Sequence, residues 1–124
     1  MTISDMLNFR DIYPIFADIK FSFQTVYKLS KISKALEKEF EFYQEKFNEL
    51  LDSYALKDEN NNYIMTEDGK SIKIQPEKIT ECAEKMTELY NVTIANPPEY
   101  LSIEELQDLN LTLSEMNKLM PFIK

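Results

Sequence analysis

The residue types most suggestive of chemistry lie in one polar stretch near the middle of the chain, KDENNNYIMTEDGKSIKI. Asp58, Asn60 and Asn62 match positions 1, 3 and 5 of a twelve-residue calcium loop. Position 6 of such a loop should be glycine and position 12 a bidentate glutamate, but Tyr63 and Gly69 stand there. We therefore predict no metal site, and instead a polar turn with an asparagine in the left-handed region.

A second candidate feature is a ladder of carboxylates at four-residue spacing, formed by Glu37, Glu41, Glu45 and Glu49. On a helix these groups recur about every 6 Å, which is close to the spacing of phosphates and suggests a nucleic-acid mimic. The plainer interpretation is a solvated helix face. Helical geometry favours it, because the ladder lies roughly 160° from the apolar side of the same segment.

Catalytic chemistry has little support in the sequence. The chain has no histidine, so acid–base work would fall to carboxylates, Lys, Tyr or Cys, and no pair of these is marked by its context. The single cysteine, Cys82, lies on an apolar stripe, which favours a buried and inert thiol. We predict a protein that is not an enzyme and that needs no cofactor.

Composition limits the class of protein. At 124 residues the chain has the length of one domain with a real core. Its formal charge of −8 makes direct nucleic-acid binding unexpected, since that binding depends on Lys and Arg. One cysteine fits a reducing compartment, no signal peptide is evident, and no segment has the apolar length of a membrane span. These features predict a cytosolic protein.

The sequence predicts an α+β fold, predominantly α, in a single domain over residues 1–124. A first helix of about residues 5–13 could be capped by Ser4 and is interrupted by Pro14. The other predicted elements are a long helix at about 21–55, a small β-hairpin at about 63–74 whose Asp-Gly turn joins strands at 63–66 and 71–74, a second helix at about 77–90, and short C-terminal helices at about 103–109 and 113–119. The hairpin can face a core with its Tyr63/Met65 and Ile72/Ile74 sides. The two short helices are predicted to begin at capping boxes, Ser102 with Glu105 and Thr112 with Glu115.

The long helix is predicted from an apolar seam with steps of three or four residues. Its members are Leu29, Ile32, Leu36, Phe40, Tyr43, Phe47, Leu50 and Tyr54. A helix of this length is roughly 50 Å long, which exceeds the diameter of a compact domain of this size. We therefore expect part of the helix to need a partner.

The start of the long helix does not follow the seam. At 100° per residue, Phe23, Val26 and Tyr27 drift to the side opposite Leu36 and Phe40. Two explanations are open: the N-terminal segment packs over these side chains, or the helix is kinked at residues 30–33.

Charge is segregated along the same helix, with Lys28, Lys31, Lys34 and Lys38 before an acidic second half. An antiparallel copy would set basic halves against acidic halves, which favours a homodimer. Phe42 lies off the seam and is a candidate interface residue. The predicted partner-binding residues are Phe40, Phe42, Tyr43, Phe47, Glu37, Glu41, Glu45 and Glu49.

The run LEKEFEFYQEKFNELLDSYALKDENNNYIMTEDGKSIKI, with the later segments ELYN and LSEMNKLMPFI, resembles small uncharacterised proteins of tailed phages and prophages of low-GC bacteria. Those proteins pair a long Glu/Lys-rich helix with an Asp/Asn-rich turn and a hairpin. The resemblance implies a phage gene product in the host cytoplasm, or in the virion. From it and from the helix we predict a structural or assembly component that acts by protein–protein contacts. The alternative is an acidic inhibitor of a host defence system, as a nucleic-acid mimic or a protein-binding inhibitor.

Overall fold

The computed structural model describes residues 1–124, of which 60% are helical. The helices are α1 (Ile3–Ile12), α2 (Phe23–Tyr54), α3 (Ile79–Tyr90), α4 (Ile103–Leu106) and α5 (Leu113–Leu119), with 3-10 turns at Tyr13–Phe16, Pro76–Lys78 and Met120–Phe122. The chain forms two compact units, which we name the terminal unit (1–41 and 92–124) and the central unit (42–91). The expected single domain stays a prediction.

The first helix begins earlier than the sequence predicts. Thr2, rather than Ser4, is its N-cap: the Thr2 hydroxyl accepts the Asp5 N–H while the Asp5 carboxylate accepts the Thr2 N–H. Threonine with an acidic residue three positions later is a capping box, and it satisfies two backbone donors at once. Starting at Ile3 also places four apolar side chains on the buried side of α1, namely Ile3, Met6, Phe9 and Ile12.

The core of the terminal unit is built from α1, the first half of α2 and the C-terminal segment. The rings of Phe9 and Phe122 pack with centroids 4.5 Å apart, and both side chains are essentially inaccessible to solvent. The Leu101 N–H donates to the Phe122 carbonyl at 2.7 Å, and the Lys124 N–H donates to the Leu101 carbonyl at 2.9 Å. These backbone bonds hold Phe122 in place beneath α1.

The long helix is confirmed and runs without interruption from Phe23 to Tyr54. It begins there because the Ser22 hydroxyl and carbonyl accept the N–H groups of Thr25 and Val26. Its seam is buried at Leu29, Ile32, Leu36 and Tyr54 and half-buried at Phe40, Tyr43, Phe47 and Leu50.

The N-terminal segment does not cover the start of α2. Phe23, Val26 and Tyr27 are 95%, 48% and 51% exposed, so the packing explanation is wrong for these side chains. The helix also continues as α-helix through Ser30 and Ser33. Helical phase placed the three side chains off the seam of α2, as observed, but they stay largely exposed.

The polar turn after α2 is confirmed. One oxygen of the Asp58 carboxylate accepts the N–H groups of Asn60 at 2.9 Å and Asn62 at 3.0 Å. Between them, Asn61 has a positive φ of 64°, a conformation that asparagine tolerates better than most residues. The side chain that resembled a first calcium ligand is thus engaged by its own backbone.

The predicted β-hairpin is wrong at the level of strands, because residues 63–74 contain no β-strand and only isolated bridges such as Met65–Ile72. The backbone bonds explain why. The Leu56 N–H donates to Lys73, the Lys73 N–H donates to Ile64, and the Ile64 N–H donates to Leu56. The backbones around Leu56, Ile64 and Lys73 thus form a cycle of hydrogen bonds, each to the next. Because every segment divides its bonds between two others, no two of them form a continuous β-ladder. The expected inward side of the hairpin is also wrong at its first strand: Tyr63 and Met65 are exposed.

Gly69 provides a test of this turn. It has a φ of +71°, and a Cβ added there would meet no atom within 4 Å. Gly69→Ala should therefore lower the free energy of unfolding by about 1 kcal/mol through backbone strain alone. Urea unfolding measures the change. Ser71→Ala, which alters an exposed side chain nearby, should cost less, and equal costs would contradict the strain explanation.

The later helices are confirmed with changes in their bounds. The helix α3 follows the Pro76–Lys78 turn and buries Cys82 and Leu89, whereas Ile79 of the predicted stripe is exposed. Both capping boxes form: Ser102 with Glu105 and Thr112 with Glu115. The helix α5 has its predicted bounds, but α4 ends at Leu106 rather than at 109.

Candidate functional site

The terminal unit has a concave surface between α1 and α2, which we name the α1–α2 groove. It has a volume of about 480 Å³. Its walls come from α1, the following 3-10 turn and the first half of α2. The lining residues are Phe9, Arg10, Tyr13, Pro14, Ser33, Leu36, Glu37, Phe40 and Glu41.

Arg10 and Phe40 form the central contact of this groove. The guanidinium carbon of Arg10 lies 3.3 Å from the centre of the Phe40 ring. Stacking of this kind stabilises the cation and fixes the plane of the guanidinium group. Arg10 stays exposed while Phe40 is half-buried, so an approaching molecule meets both an oriented cation and part of an aromatic ring.

The rim of the groove is acidic on the α2 side. Glu37 and Glu41 lie one helical turn apart, and both are exposed. Tyr13, which is 37% exposed, contributes a second ring that packs 5.6 Å from Phe9. The groove therefore combines an aromatic floor, one oriented cation and two carboxylates, which suits an amphipathic segment bearing an apolar and a charged side chain.

The central unit carries a separate aromatic cluster. The Tyr43 ring lies 5.7 Å from Phe47 and 6.3 Å from Tyr90. Burial, and secondarily the Tyr90 hydroxyl, raise the pKa of Tyr43 to about 12. Tyr43 therefore ionises even less readily than an ordinary tyrosine, which is already neutral at physiological pH. Phe42 lies apart from this cluster, 39% exposed, with the Lys46 ammonium 6.0 Å from its ring centre.

The predicted partner-binding residues thus fall into three groups. Phe40, Glu37 and Glu41 meet in the α1–α2 groove. Tyr43 and Phe47 join the aromatic cluster. The remaining three, Phe42, Glu45 and Glu49, are exposed on α2, where Glu49 pairs with Lys46 at 3.3 Å.

Sequence reasoning missed Arg10 and Tyr13. The only feature of the sequence that marked Arg10 was its position as a basic residue in the last turn of α1, where it is favourable to the helix dipole. Its position over Phe40 depends on how α1 packs against α2, thirty residues later in the chain. Helical periodicity describes one helix at a time and could not have paired these two side chains.

One further group that could do chemistry, the Cys82 thiol, is accounted for by its surroundings. Cys82 is buried, as predicted, and burial raises the pKa of its thiol, which lowers the thiolate fraction available as a nucleophile. No cluster of three or more His, Cys, Asp or Glu side chains has the geometry to hold a metal ion.

The comparisons with known proteins can now be added to this geometry. No protein-family model, curated protein or solved structure matches the chain. None of the helices combines the length and apolar character needed to cross a membrane.

Proposed function

We propose that this protein acts by binding another protein, without catalysing a reaction, and that the α1–α2 groove is its principal contact surface. The observation that carries the proposal is the stacked pair of Arg10 and the half-buried Phe40, held between Tyr13 and the Glu37–Glu41 rim. Arginine and aromatic side chains in concave, partly desolvated positions dominate the energy of protein interfaces.

The half-buried part of the α2 seam supports the same proposal. Phe40, Tyr43, Phe47 and Leu50 retain accessible apolar surface after the chain has folded. Water is removed from such surface when a partner covers it, which is favourable by about 25 cal/mol per Å². A groove with an aromatic floor can accept a helix or an extended segment of the partner.

The resemblance to small phage proteins gives this proposal its biological setting. We propose a structural or assembly component made by a tailed phage or prophage in the host cytoplasm, with the virion as a further location. Its partner is then another phage protein or a host protein. Detection of the chain in purified particles or assembly intermediates would support the structural role, and its absence from both would contradict that role.

The groove itself is tested by affinity purification of tagged variants from cells producing the phage. Tyr13→Ala and Phe40→Ala should each weaken capture of a partner at least about fivefold, the loss typical of an aromatic interface residue. Leu113→Ala is the matched control, because Leu113 is 79% exposed and lies outside the groove. Equal capture by all the variants would exclude the groove as the contact surface.

A second function is favoured by the exposure of the carboxylate ladder. Glu37, Glu41, Glu45 and Glu49 are all exposed on α2, with carboxylates about 6 Å apart along the axis. This spacing is close to that of phosphates and supports an inhibitor that mimics nucleic acid in a host defence nuclease. Reversing Glu41 and Glu45 to lysine should then abolish inhibition without changing the helical content, and preserved inhibition would eliminate mimicry.

A further inference from the structure

A second concave surface of the terminal unit adjoins the α1–α2 groove. It has a volume of about 380 Å³ and lies between the segment that links α1 to α2 and the first turns of α2. Its lining side chains include Phe16, Ile19, Phe21, Val26, Leu29 and Lys34. Tyr13, Ser33 and Glu37 line both concave surfaces. The two therefore join into one longer channel, which we name the extended groove.

The extended groove follows one side of α2. Five of the α2 residues that line it lie within a sector of about 80° at 100° per residue. They are Val26, Ser30, Ser33, Glu37 and Phe40. The distance along α2 from Val26 to Phe40 is about 21 Å, which equals four turns of a helix. Every lining residue belongs to the terminal unit, so one compact unit forms the whole channel.

The walls of the extended groove determine the form of its occupant. Most of the wall is helical, formed by α1, the 3-10 turn and α2, and no β-strand borders it. An extended peptide that binds by strand addition needs an open sheet edge to accept its backbone hydrogen bonds. A helix satisfies its own backbone groups and can lay its apolar side into a groove between helices. The walls therefore favour a helical occupant.

Two cations mark positions along the extended groove. Arg10 stacks on Phe40 towards one end, and Lys34 lines the part towards the other end. The ion pairs within the chain involve neither cation. Stacking on a ring leaves the N–H groups at the edge of the guanidinium available to a carboxylate. Lys34 and Phe40 are six residues, or about 9 Å, apart along α2.

We propose that the occupant of the extended groove is an amphipathic α-helix of a partner protein, with two carboxylates seven residues apart and apolar side chains between them. This inference deepens the proposed function and rests on it. A separation of seven residues is about 10.5 Å along a helix and returns to nearly the same side. One carboxylate then meets Arg10 and the other meets Lys34, whose long side chain accommodates the small difference in spacing.

The middle of the extended groove selects against a third carboxylate. Glu37 is exposed there and would repel it. Tyr13 offers part of an aromatic ring at the same place, and the small side chain of Ser33 leaves room beside it. Apolar side chains at the third and fourth positions after the first carboxylate would fill this space. The partner helix is therefore acidic at two positions and apolar between them.

A hydrocarbon-stapled helical peptide of about 16 residues is the probe for this inference, since it spans the groove. It carries two glutamates seven residues apart, leucines at the third and fourth positions after the first glutamate, and a fluorescein label. Fluorescence anisotropy measures its binding to the full chain. Arg10→Glu and Lys34→Glu should each weaken binding about tenfold, because an attractive pair becomes repulsive.

Reversing the charges of the peptide completes the exchange. A peptide with lysine in place of both glutamates should bind the natural chain at least about tenfold more weakly. The double variant Arg10→Glu/Lys34→Glu should bind this basic peptide to within about threefold of the original affinity. Lys31→Glu is the matched control, because Lys31 is exposed on α2 but lies outside the extended groove. It should change the affinity by less than about threefold.

Ser33→Phe tests the position of the occupant, because a ring there fills the section that the two concave surfaces share. It should abolish binding of the acidic peptide while circular dichroism shows an unchanged helical content. Affinity that does not depend on the charge of the peptide would overturn the proposal. Equal binding by an unstapled peptide with a proline between the glutamates would also overturn it, since proline breaks a helix. Self-association of the chain that Ser33→Phe abolishes would assign the groove to a second copy instead.

Failure of this inference can be distinguished from failure of the proposed function. If Tyr13→Ala and Phe40→Ala lose capture of a partner while peptide binding ignores charge, the contact surface stands and the acidic helix is excluded. If capture is unchanged while the peptides follow the charge exchange, the proposed function fails and the preference of the groove for an acidic helix stands.

Discussion

Phe122→Ala is expected to lower the free energy of unfolding by about 3–5 kcal/mol, the cost of emptying a well-packed aromatic site. Phe122 has no solvent exposure, and its ring packs 4.5 Å from that of Phe9. The truncation removes the transfer free energy of the ring and leaves a cavity beneath α1. Since the Phe122 carbonyl also accepts the Leu101 N–H, the segment has little freedom to collapse into that cavity.

Urea unfolding followed by circular dichroism measures this loss, with Leu113→Ala as the control. Leu113 is 79% exposed, so its truncation should change stability by less than about 0.5 kcal/mol. A cost for Phe122→Ala below about 1 kcal/mol would contradict the assignment of Phe122 to the core.

The second large effect is expected at Glu105, which joins α4 to the start of α2. Its carboxylate accepts hydrogen bonds from the Lys28 ammonium at 2.8 Å and from the Thr25 hydroxyl. Only 16% of the Glu105 side chain is exposed, against 21% for Lys28. Glu105→Gln should cost about 2 kcal/mol, because the charge-assisted bonds are weakened and Lys28 keeps a charge without its counter-ion.

Glutamine also serves in a capping box, so this substitution removes the charge while leaving the cap of α4 available. Glu104→Gln is the matched control, since Glu104 is the adjacent residue and is exposed. Equal effects of the two substitutions would show that general charge, rather than the Lys28 contact, is responsible.

The same contact predicts an acid dependence. Burial acts to raise the pKa of Glu105, but hydrogen bonds from Lys28, Thr25 and Ser102 outweigh it and lower that pKa from 4.5 to about 2. A carboxyl group whose pKa is lower in the folded state contributes stability that is complete above its unfolded value. That contribution should be lost as pH falls from about 5 towards 2. Stability measured over this range should fall more steeply for the wild type than for Glu105→Gln, and parallel curves would contradict the cause given.

Much of the helical architecture could be predicted from the sequence because its causes are local. The seam from Leu29 to Tyr54 predicted α2, and the pairs Ser102–Glu105 and Thr112–Glu115 predicted the starts of α4 and α5. The left-handed Asn61 follows equally from short-range chemistry. Each feature depends on residues within a few positions of one another, so tertiary contacts were not needed to specify it.

The failures at the level of the fold concern contacts between distant segments. Asp-Gly at the turn predicted a hairpin, but Leu56 enters as a third hydrogen-bonding partner and divides the ladder into isolated bridges. Phe23, Val26 and Tyr27 were correctly placed off the seam, yet helical phase could not show that they stay exposed in the folded chain. Competition for backbone hydrogen bonds explains the missing strands, and the packing of distant segments explains the exposed start of α2.

The candidate site shows the same difference between features set by local sequence and features set by contacts between distant segments. The sequence alone determined a long helix with an apolar seam, an exposed acidic ladder and segregated charge, because helical periodicity assigns each side chain to a face. Only the tertiary structure decided that Arg10 stacks on Phe40 and that Tyr13, Glu37 and Glu41 complete the groove. The reason is physical: a groove is made where two helices pack, and the side chains that meet there are selected by shape and burial across about thirty intervening residues rather than by spacing along either helix.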